Sequence, residues 1–98
     1  MTKAFHIDIE LTRGDADVEH DDISRAEHAA HGYFTARGID GCEAQAEYQR
    51  QWQALDSHDG KTGLALDFLA ASGAANRALT EGWHKPDGAS CTIIAWRR

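Results

Sequence analysis

Two histidines placed three residues apart carry the clearest metal-binding chemistry in this sequence. His28 and His31 lie in a segment that we expect to be helical, and residues three apart on a helix face the same side. Neutral imidazole is a good zinc ligand, and His20 and Glu27 are close along the chain. A structural zinc site needs four ligands, and no pair of cysteines is near enough to complete one. We therefore expect no stoichiometric metal and no cofactor, with both histidines on the outer face of the helix.

Three further patterns resemble known site motifs but lack residues that those motifs require. Carboxylates at Asp15, Asp17 and Glu19 suggest a calcium loop, but histidine stands where that loop needs glycine. Residues 59–62 resemble the end of a phosphate-binding loop, but Leu55 occupies the position of its first glycine. Serine, cysteine and histidine occur without any local signature of a catalytic nucleophile. A chain of this length also has little room for a deep pocket, so we do not expect an enzyme.

Acidic side chains are concentrated in the first third of the chain. Residues 1–31 carry eight acidic and three basic side chains, a net charge of −5, whereas residues 32–98 carry a net charge of −1. We expect seven carboxylates to form one negative surface, which would attract a basic partner and raise its rate of encounter. These seven candidate binding residues are Asp8, Glu10, Asp15, Asp17, Glu19, Asp21 and Asp22. The alternative is a solvated acidic loop that aids solubility and caps a helix.

The composition excludes several classes of protein. The chain has 98 residues, 16 acidic and 10 Lys or Arg side chains, a formal charge of −6 and 42% hydrophobic residues. This content predicts a single domain over residues 1–98 with one core, and it is too apolar for a disordered tail. The longest apolar run is far below the roughly 20 residues of a membrane span. The negative charge argues against direct nucleic-acid binding, because nothing would neutralise phosphates in bulk.

The first residues alternate apolar and polar side chains, which a secretory signal does not do. We therefore expect a cytoplasmic protein, acting in the host cytoplasm if a phage encodes it. Cys42 and Cys91 should then stay reduced, and their spacing matches no paired-cysteine metal motif. Both are expected to be small buried side chains.

Periodicity along the chain predicts the elements that position these groups. Residues 5–11 alternate apolar and polar side chains, which indicates a strand with one buried face. Helical spacing predicts one helix over about 22–37, a second from Cys42 and a third from residue 62 or 63. Residues 90–96 indicate a second strand that is apolar on both faces.

This order predicts an α+β fold with the sequence β-α-α-α-β. A lone strand is not stable in water, so we expect the terminal strands to form a small antiparallel sheet covered by the helices. Two alternatives stay open: a third short strand within residues 13–20, and pairing of an open sheet edge with a second copy in a homodimer. Trp52 and Phe68 lie on helical stripes and are expected in the core.

The overall profile resembles the small proteins of phages and mobile elements that block bacterial defence, especially anti-CRISPR proteins. The resemblance rests on 98 residues, an acidic balance, an α+β domain and the lack of a catalytic signature. It implies binding to a basic protein or ribonucleoprotein complex and occlusion of its DNA or RNA path, and it carries over no functional residue. Two other classes remain: a small metal- or ligand-binding enzyme that uses the histidine-bearing helix, and a structural accessory subunit.

Overall fold

Two strands and three helices make up the described part of the chain. The computed structural model describes residues 4–11, 20–54, 61–82 and 91–97. The elements are β1 (Phe5–Leu11), α1 (His20–Ala36), α2 (Gly41–Ala54), α3 (Leu64–Gly82) and β2 (Cys91–Arg97). This order and the α+β class confirm the prediction made from periodicity. The short strand considered within 13–20 lies outside the described residues, except for its last position, which belongs to α1.

The terminal strands form a two-stranded antiparallel sheet, as predicted. The register pairs Phe5 with Arg97 at one end and Leu11 with Cys91 at the other. Successive side chains of a strand point to opposite faces, so every second residue of each strand can face the helices. The buried strand residues are Phe5, Ile7, Cys91, Ile93 and Ala95. The sheet therefore has one inner face in the core and one outer face towards solvent.

The helices share one core with the inner face of the sheet. The buried residues of α1 are Asp22, Ala26, Ala30 and Phe34. The apolar residues among these belong to one core cluster that also contains Ala71, Ala75 and Leu79 of α3. Alanine side chains at helix contacts allow a close approach of the backbones, while Phe34 and Leu79 fill the remaining space. Phe68 is also buried, which confirms its predicted place in the core.

A glycine stops α1 at the predicted position. Gly38 has φ of +66°, the left-handed region that only glycine adopts at low cost. The N–H of Gly38 donates to the carbonyl of Thr35 at 3.1 Å, and the N–H of Ile39 donates to the carbonyl of Phe34 at 2.9 Å. This pair of bonds is the Schellman motif, in which the last carbonyls of a helix find donors and the chain reverses.

Asp40 starts α2 immediately afterwards. Its Oδ1 accepts a hydrogen bond from the N–H of Cys42 at 2.9 Å, and its carbonyl accepts one from the N–H of Ala44 at 3.1 Å. Asp40 is thus the N-cap of α2, and it satisfies backbone donors that have no partner inside the helix. The cap places the start of α2 beside the first residue of β1, where the buried Gly41 lies against the ring of Phe5.

Two side-chain amides cover the outer edge of β2. Gln45 donates from Nε2 to the carbonyl of Ala95 and accepts from its N–H through Oε1, both at 2.8 Å. Asn76 binds Cys91 in the same way: its Nδ2 donates to the carbonyl at 3.1 Å, and its Oδ1 accepts from the N–H at 3.0 Å. Each amide occupies the backbone groups that a neighbouring strand would use. Pairing of a second copy along β2 would have to displace both amides. The pairing of an open sheet edge in a homodimer stays a prediction.

Candidate functional site

The outer face of the sheet brings carboxylates and exposed apolar side chains together. In the register of the strands, His6 lies opposite Trp96, Asp8 opposite Ile94 and Glu10 opposite Thr92. All six side chains point away from the core, because they alternate with the buried positions of each strand. We call these six residues the outer sheet face. One side of it is polar and acidic, and the other is largely apolar.

The apolar side of the outer sheet face is unusually open. Trp96 is 51% exposed and Ile94 is 37% exposed, although both are large hydrophobic side chains. The ring of Trp96 contacts the ring of His6 edge-on, with centroids 5.5 Å apart. The second strand is thus apolar on both faces, as predicted, but its outer apolar side chains stay at the surface. Exposed tryptophan beside charged groups is typical of a protein-binding surface.

The acidic residues divide into exposed and structural members. Asp8 is about half exposed, Glu10 is exposed, and Asp21 is exposed in the first turn of α1. Asp22 is buried, and its Oδ1 accepts a hydrogen bond from Arg25 at 2.7 Å. α1 begins at His20, two residues before the predicted start, so both aspartates lie within its first turn.

Asp22 therefore contributes to the fold more than to an open negative surface. Arg25, which pairs with Asp22, also donates from Nε to the carbonyl of Ala78 at 3.1 Å and so joins α1 to α3. The remaining predicted binding residues, Asp15, Asp17 and Glu19, lie outside the described residues.

A cleft with histidine and carboxylate walls lies between β1 and α1. Its volume is about 280 Å³, and its lining residues are His6, Ile7, Ser24, Glu27, His28 and His31. The two histidines that the sequence singled out therefore face one cleft, as their spacing on a helix predicts. His31 also stacks on Phe5, with ring centroids 4.6 Å apart, and its Nδ1 lies 3.2 Å from the hydroxyl of Thr35. The fold thus fixes one of the two rings in the wall of the cleft.

Three side chains at this cleft come together from two elements. His6, Asp8 and Glu27 each offer a donor atom, and the three atoms all lie within 4.8 Å of one another. The Nε2 atom of His6 is 3.4 Å from Oδ1 of Asp8. Periodicity predicts His6 on the polar side of a strand, and Glu27 is beside His28 in the sequence, but nothing in the sequence connects His6 with Glu27. The missing signal was the distance between strand and helix, because spacing along the chain does not encode it.

An ion pair between a buried carboxylate and a partly exposed guanidinium lies next to the outer sheet face. Arg97 donates to Oδ2 of Asp40 at 2.7 Å and so ties the end of β2 to the start of α2. Burial alone would raise the pKa of Asp40, but hydrogen bonds from Arg97 and from the N–H groups of Cys42 and Glu43 outweigh it. The pKa of Asp40 therefore lies below its ordinary value. The pair fixes the backbone next to Trp96.

Neither Cys42 nor Cys91 forms a disulfide bond. Cys91 is buried, as expected, whereas Cys42 is only partly buried. Burial raises the pKa of the Cys42 thiol, and nearby Asp40 raises it further while Arg97 offsets part of the change. A thiol with a raised pKa is a poor nucleophile at neutral pH. This environment gives no support to a catalytic role for Cys42.

A second aromatic surface lies on α2. Tyr48 and Trp52 line a cleft of about 430 Å³ together with Gln49 and Gln53. Trp52 is 37% exposed, so the prediction that it lies in the core was wrong. Its neighbour Tyr48 takes the inner position instead and stacks on Phe68, with centroids 4.8 Å apart. The ammonium group of Lys61 lies 5.1 Å from the ring centroid of Trp52.

Within the residues that the structure describes, no helix combines the length and the apolar character needed to cross a membrane. Comparison of the chain with protein-family models, with curated proteins and with solved structures finds no match. The outer sheet face and the cleft beside it carry the chemistry that bears on function.

Proposed function

We propose that this protein is an acidic binding module that docks on a basic surface of a nucleic-acid-handling protein or ribonucleoprotein complex. The observation that carries the proposal is the outer sheet face, where exposed Trp96 and Ile94 lie directly across the sheet from His6 and Asp8. In line with the resemblance to anti-CRISPR proteins, the module would cover the DNA or RNA path of its partner. Its place of action would be the cytoplasm, in a host cell if a phage encodes it.

The two sides of this face supply different parts of the binding energy. A half-exposed tryptophan gains contact area when a partner covers it, and tryptophan is enriched among residues that dominate interface energies. Carboxylates at the rim act mainly on the rate of association, because they attract basic groups before contact. Glu10, which is exposed, continues the negative charge along β1 towards the acidic residues that follow it in the chain.

The outer sheet face is held in place before any partner arrives. Trp96 contacts the ring of His6 edge-on, and the ion pair of the adjacent Arg97 with Asp40 holds the backbone beside it. The Gln45 amide fixes Ala95 on the other side of Trp96. A surface that is already ordered loses little conformational entropy on binding, which favours affinity.

The proposal is tested by inhibition of target-DNA binding across a panel of purified guide-RNA effector complexes. We expect the parent protein to compete with DNA on at least one complex and Trp96→Ala to weaken this inhibition about 30-fold, the equivalent of about 2 kcal/mol. Leu66→Ala is the matched control, because Leu66 is 50% exposed on α3 and does not belong to the outer sheet face. Equal inhibition by the parent, Trp96→Ala and Leu66→Ala would show that the outer sheet face is not the interface.

The proposed attraction of a basic partner by the acidic residues is tested by a second variant, in which four carboxylates become amides. The substitutions are Glu10→Gln, Asp15→Asn, Asp17→Asn and Glu19→Gln. Asp22 is left unchanged because it is buried and accepts a hydrogen bond from Arg25, and Glu43→Gln on α2 serves as an exposed control. We expect slower association and a flatter salt dependence for the four-site variant alone. Failure of the parent to inhibit any complex would contradict the anti-defence role itself.

A further inference from the structure

We propose that His6, Asp8 and Glu27 form a binding site for a divalent transition-metal ion of the zinc class. The site lies in the cleft between β1 and α1, where one imidazole and two carboxylates offer donor atoms within 4.8 Å of one another. The site shares His6 and Asp8 with the outer sheet face, but it is tested separately from the docking function, because ion binding can be measured on the isolated chain.

The spacing of the donor atoms fits a tetrahedral ion. Zinc binds imidazole nitrogen and carboxylate oxygen at about 2.0–2.2 Å, which places two ligands of a tetrahedron about 3.3–3.5 Å apart. The Nε2 atom of His6 lies 3.4 Å from Oδ1 of Asp8, so this pair already has the separation of two zinc ligands. The Glu27 oxygen lies no more than 4.8 Å from each of them and needs only a side-chain adjustment to complete three ligands.

The types of donor select the class of ion. Imidazole suits zinc and other first-row transition metals, whereas calcium takes six to eight oxygen ligands. The three described groups supply only two carboxylates and no backbone carbonyl, which is too few oxygens for calcium. Three protein ligands leave one position of a tetrahedron for water. His28 lines the same cleft and is exposed, so it offers an additional imidazole beside the site.

The backbone holds the ligands on rigid elements. His6 and Asp8 are two residues apart on β1 and so project from the same face of the strand. The His6 ring is held edge-on by Trp96, and Glu27 projects from α1, which packs against β1. All three side chains are partly buried, so an ion could enter from solvent and still be shielded enough to favour its bond to the carboxylates.

The site is tested by titrating chelator-treated protein with zinc chloride in a calorimeter and with cobalt chloride in a spectrophotometer. We expect one ion per chain and an absorption spectrum of tetrahedral cobalt without a thiolate charge-transfer band, which separates this site from Cys42. His6→Ala and Glu27→Gln should each weaken zinc binding by at least about ten-fold. Asp8→Asn, which keeps the shape of the side chain, provides a third variant if one of the others unfolds.

Two matched controls separate this site from scattered binding to surface groups. His20→Ala removes an exposed histidine of α1, and Glu43→Gln removes an exposed glutamate of α2; neither residue lines the cleft. Both variants should keep the parent affinity, with circular dichroism confirming the fold of every variant. The assignment is overturned if zinc does not bind saturably. It is also overturned if binding survives His6→Ala and Glu27→Gln but is lost in a His28→Ala, His31→Ala double variant.

Discussion

Replacing Gly41 with alanine should destabilise this protein, although the same change usually stabilises a helix. Gly41 is the first residue of α2 and is buried against the ring of Phe5. A Cβ atom at this position would lie 2.8 and 2.9 Å from two carbons of that ring and 3.2 Å from a carbon of Phe34. The optimal distance between non-bonded carbons is about 3.5–4.0 Å, so the ring would have to retreat by about 0.7 Å or more.

The surroundings of Phe5 make this retreat costly. The ring is 5% exposed, stacks on His31 at 4.6 Å and contacts Phe34 edge-on at 5.9 Å. Overpacking of this kind destabilises a protein by about 1–3 kcal/mol. The higher helix propensity of alanine stabilises it by at most about 1 kcal/mol. This stabilisation by alanine is smaller at the first residue of a helix than in its interior. We therefore expect Gly41→Ala to lower the free energy of unfolding by about 1–2 kcal/mol.

Urea unfolding followed by circular dichroism measures the effect as a lower midpoint with an unchanged slope. Gly32→Ala is the matched control, because a Cβ atom at this position in α1 would meet nothing within 4 Å. That variant should gain up to about 1 kcal/mol. Phe5→Leu should reduce the cost of Gly41→Ala, because it removes the ring atoms that clash. A Gly41→Ala midpoint raised as much as that of Gly32→Ala would refute the close-approach argument.

Three further predictions concern Asp40, Gln45 and Cys42. The pKa of Asp40 in the folded protein is below its ordinary value of 3.8. The ionised carboxylate therefore stabilises the fold at pH values above 3.8, and this contribution is lost as the pH falls through the folded-state pKa. Urea titrations from pH 7 to about 2 should therefore show a smaller loss of stability in Asp40→Asn, in which the amide can still cap α2; an unchanged pH profile would contradict this. Gln45→Ala should cost about 1–3 kcal/mol and promote association along β2 in sedimentation, because it uncovers the N–H and carbonyl of Ala95; Gln49→Ala, an exposed change on α2, should do neither. Iodoacetamide at pH 8 should modify Cys42 more slowly in the folded chain than in urea, because burial raises its pKa, and equal rates would show that the thiol is not shielded.

Side-chain periodicity was sufficient to predict the fold class and the order of its elements. The alternation of residues 5–11 identifies a strand with one buried face, and the structure buries Phe5 and Ile7 on that face. Gly38 and the apolar spacing before it predict the end of α1, because a left-handed residue stops a helix in any tertiary context. Asp40, which precedes an amphipathic segment, has the residue type of an N-cap, and in the structure it caps α2.

Tertiary packing decided which polar and aromatic residues stay available for function. Periodicity shows which side of an element is apolar, but it does not show how deeply each position is covered, so Tyr48 packs inward on Phe68 while Trp52 remains partly exposed. Asp22 is buried for the same reason, because α3 brings a carbonyl to the arginine that pairs with it.

The cluster of His6, Asp8 and Glu27 depends on tertiary structure still more directly. Two of its members are neighbours on β1, and their common side of the strand follows from the sequence alone. The third comes from α1, and its approach depends on how the helix packs beside the strand. The sequence thus determined the elements and their apolar faces through local periodicity. The distances between elements, on which any metal or partner site depends, were decided by the packing of one shared core.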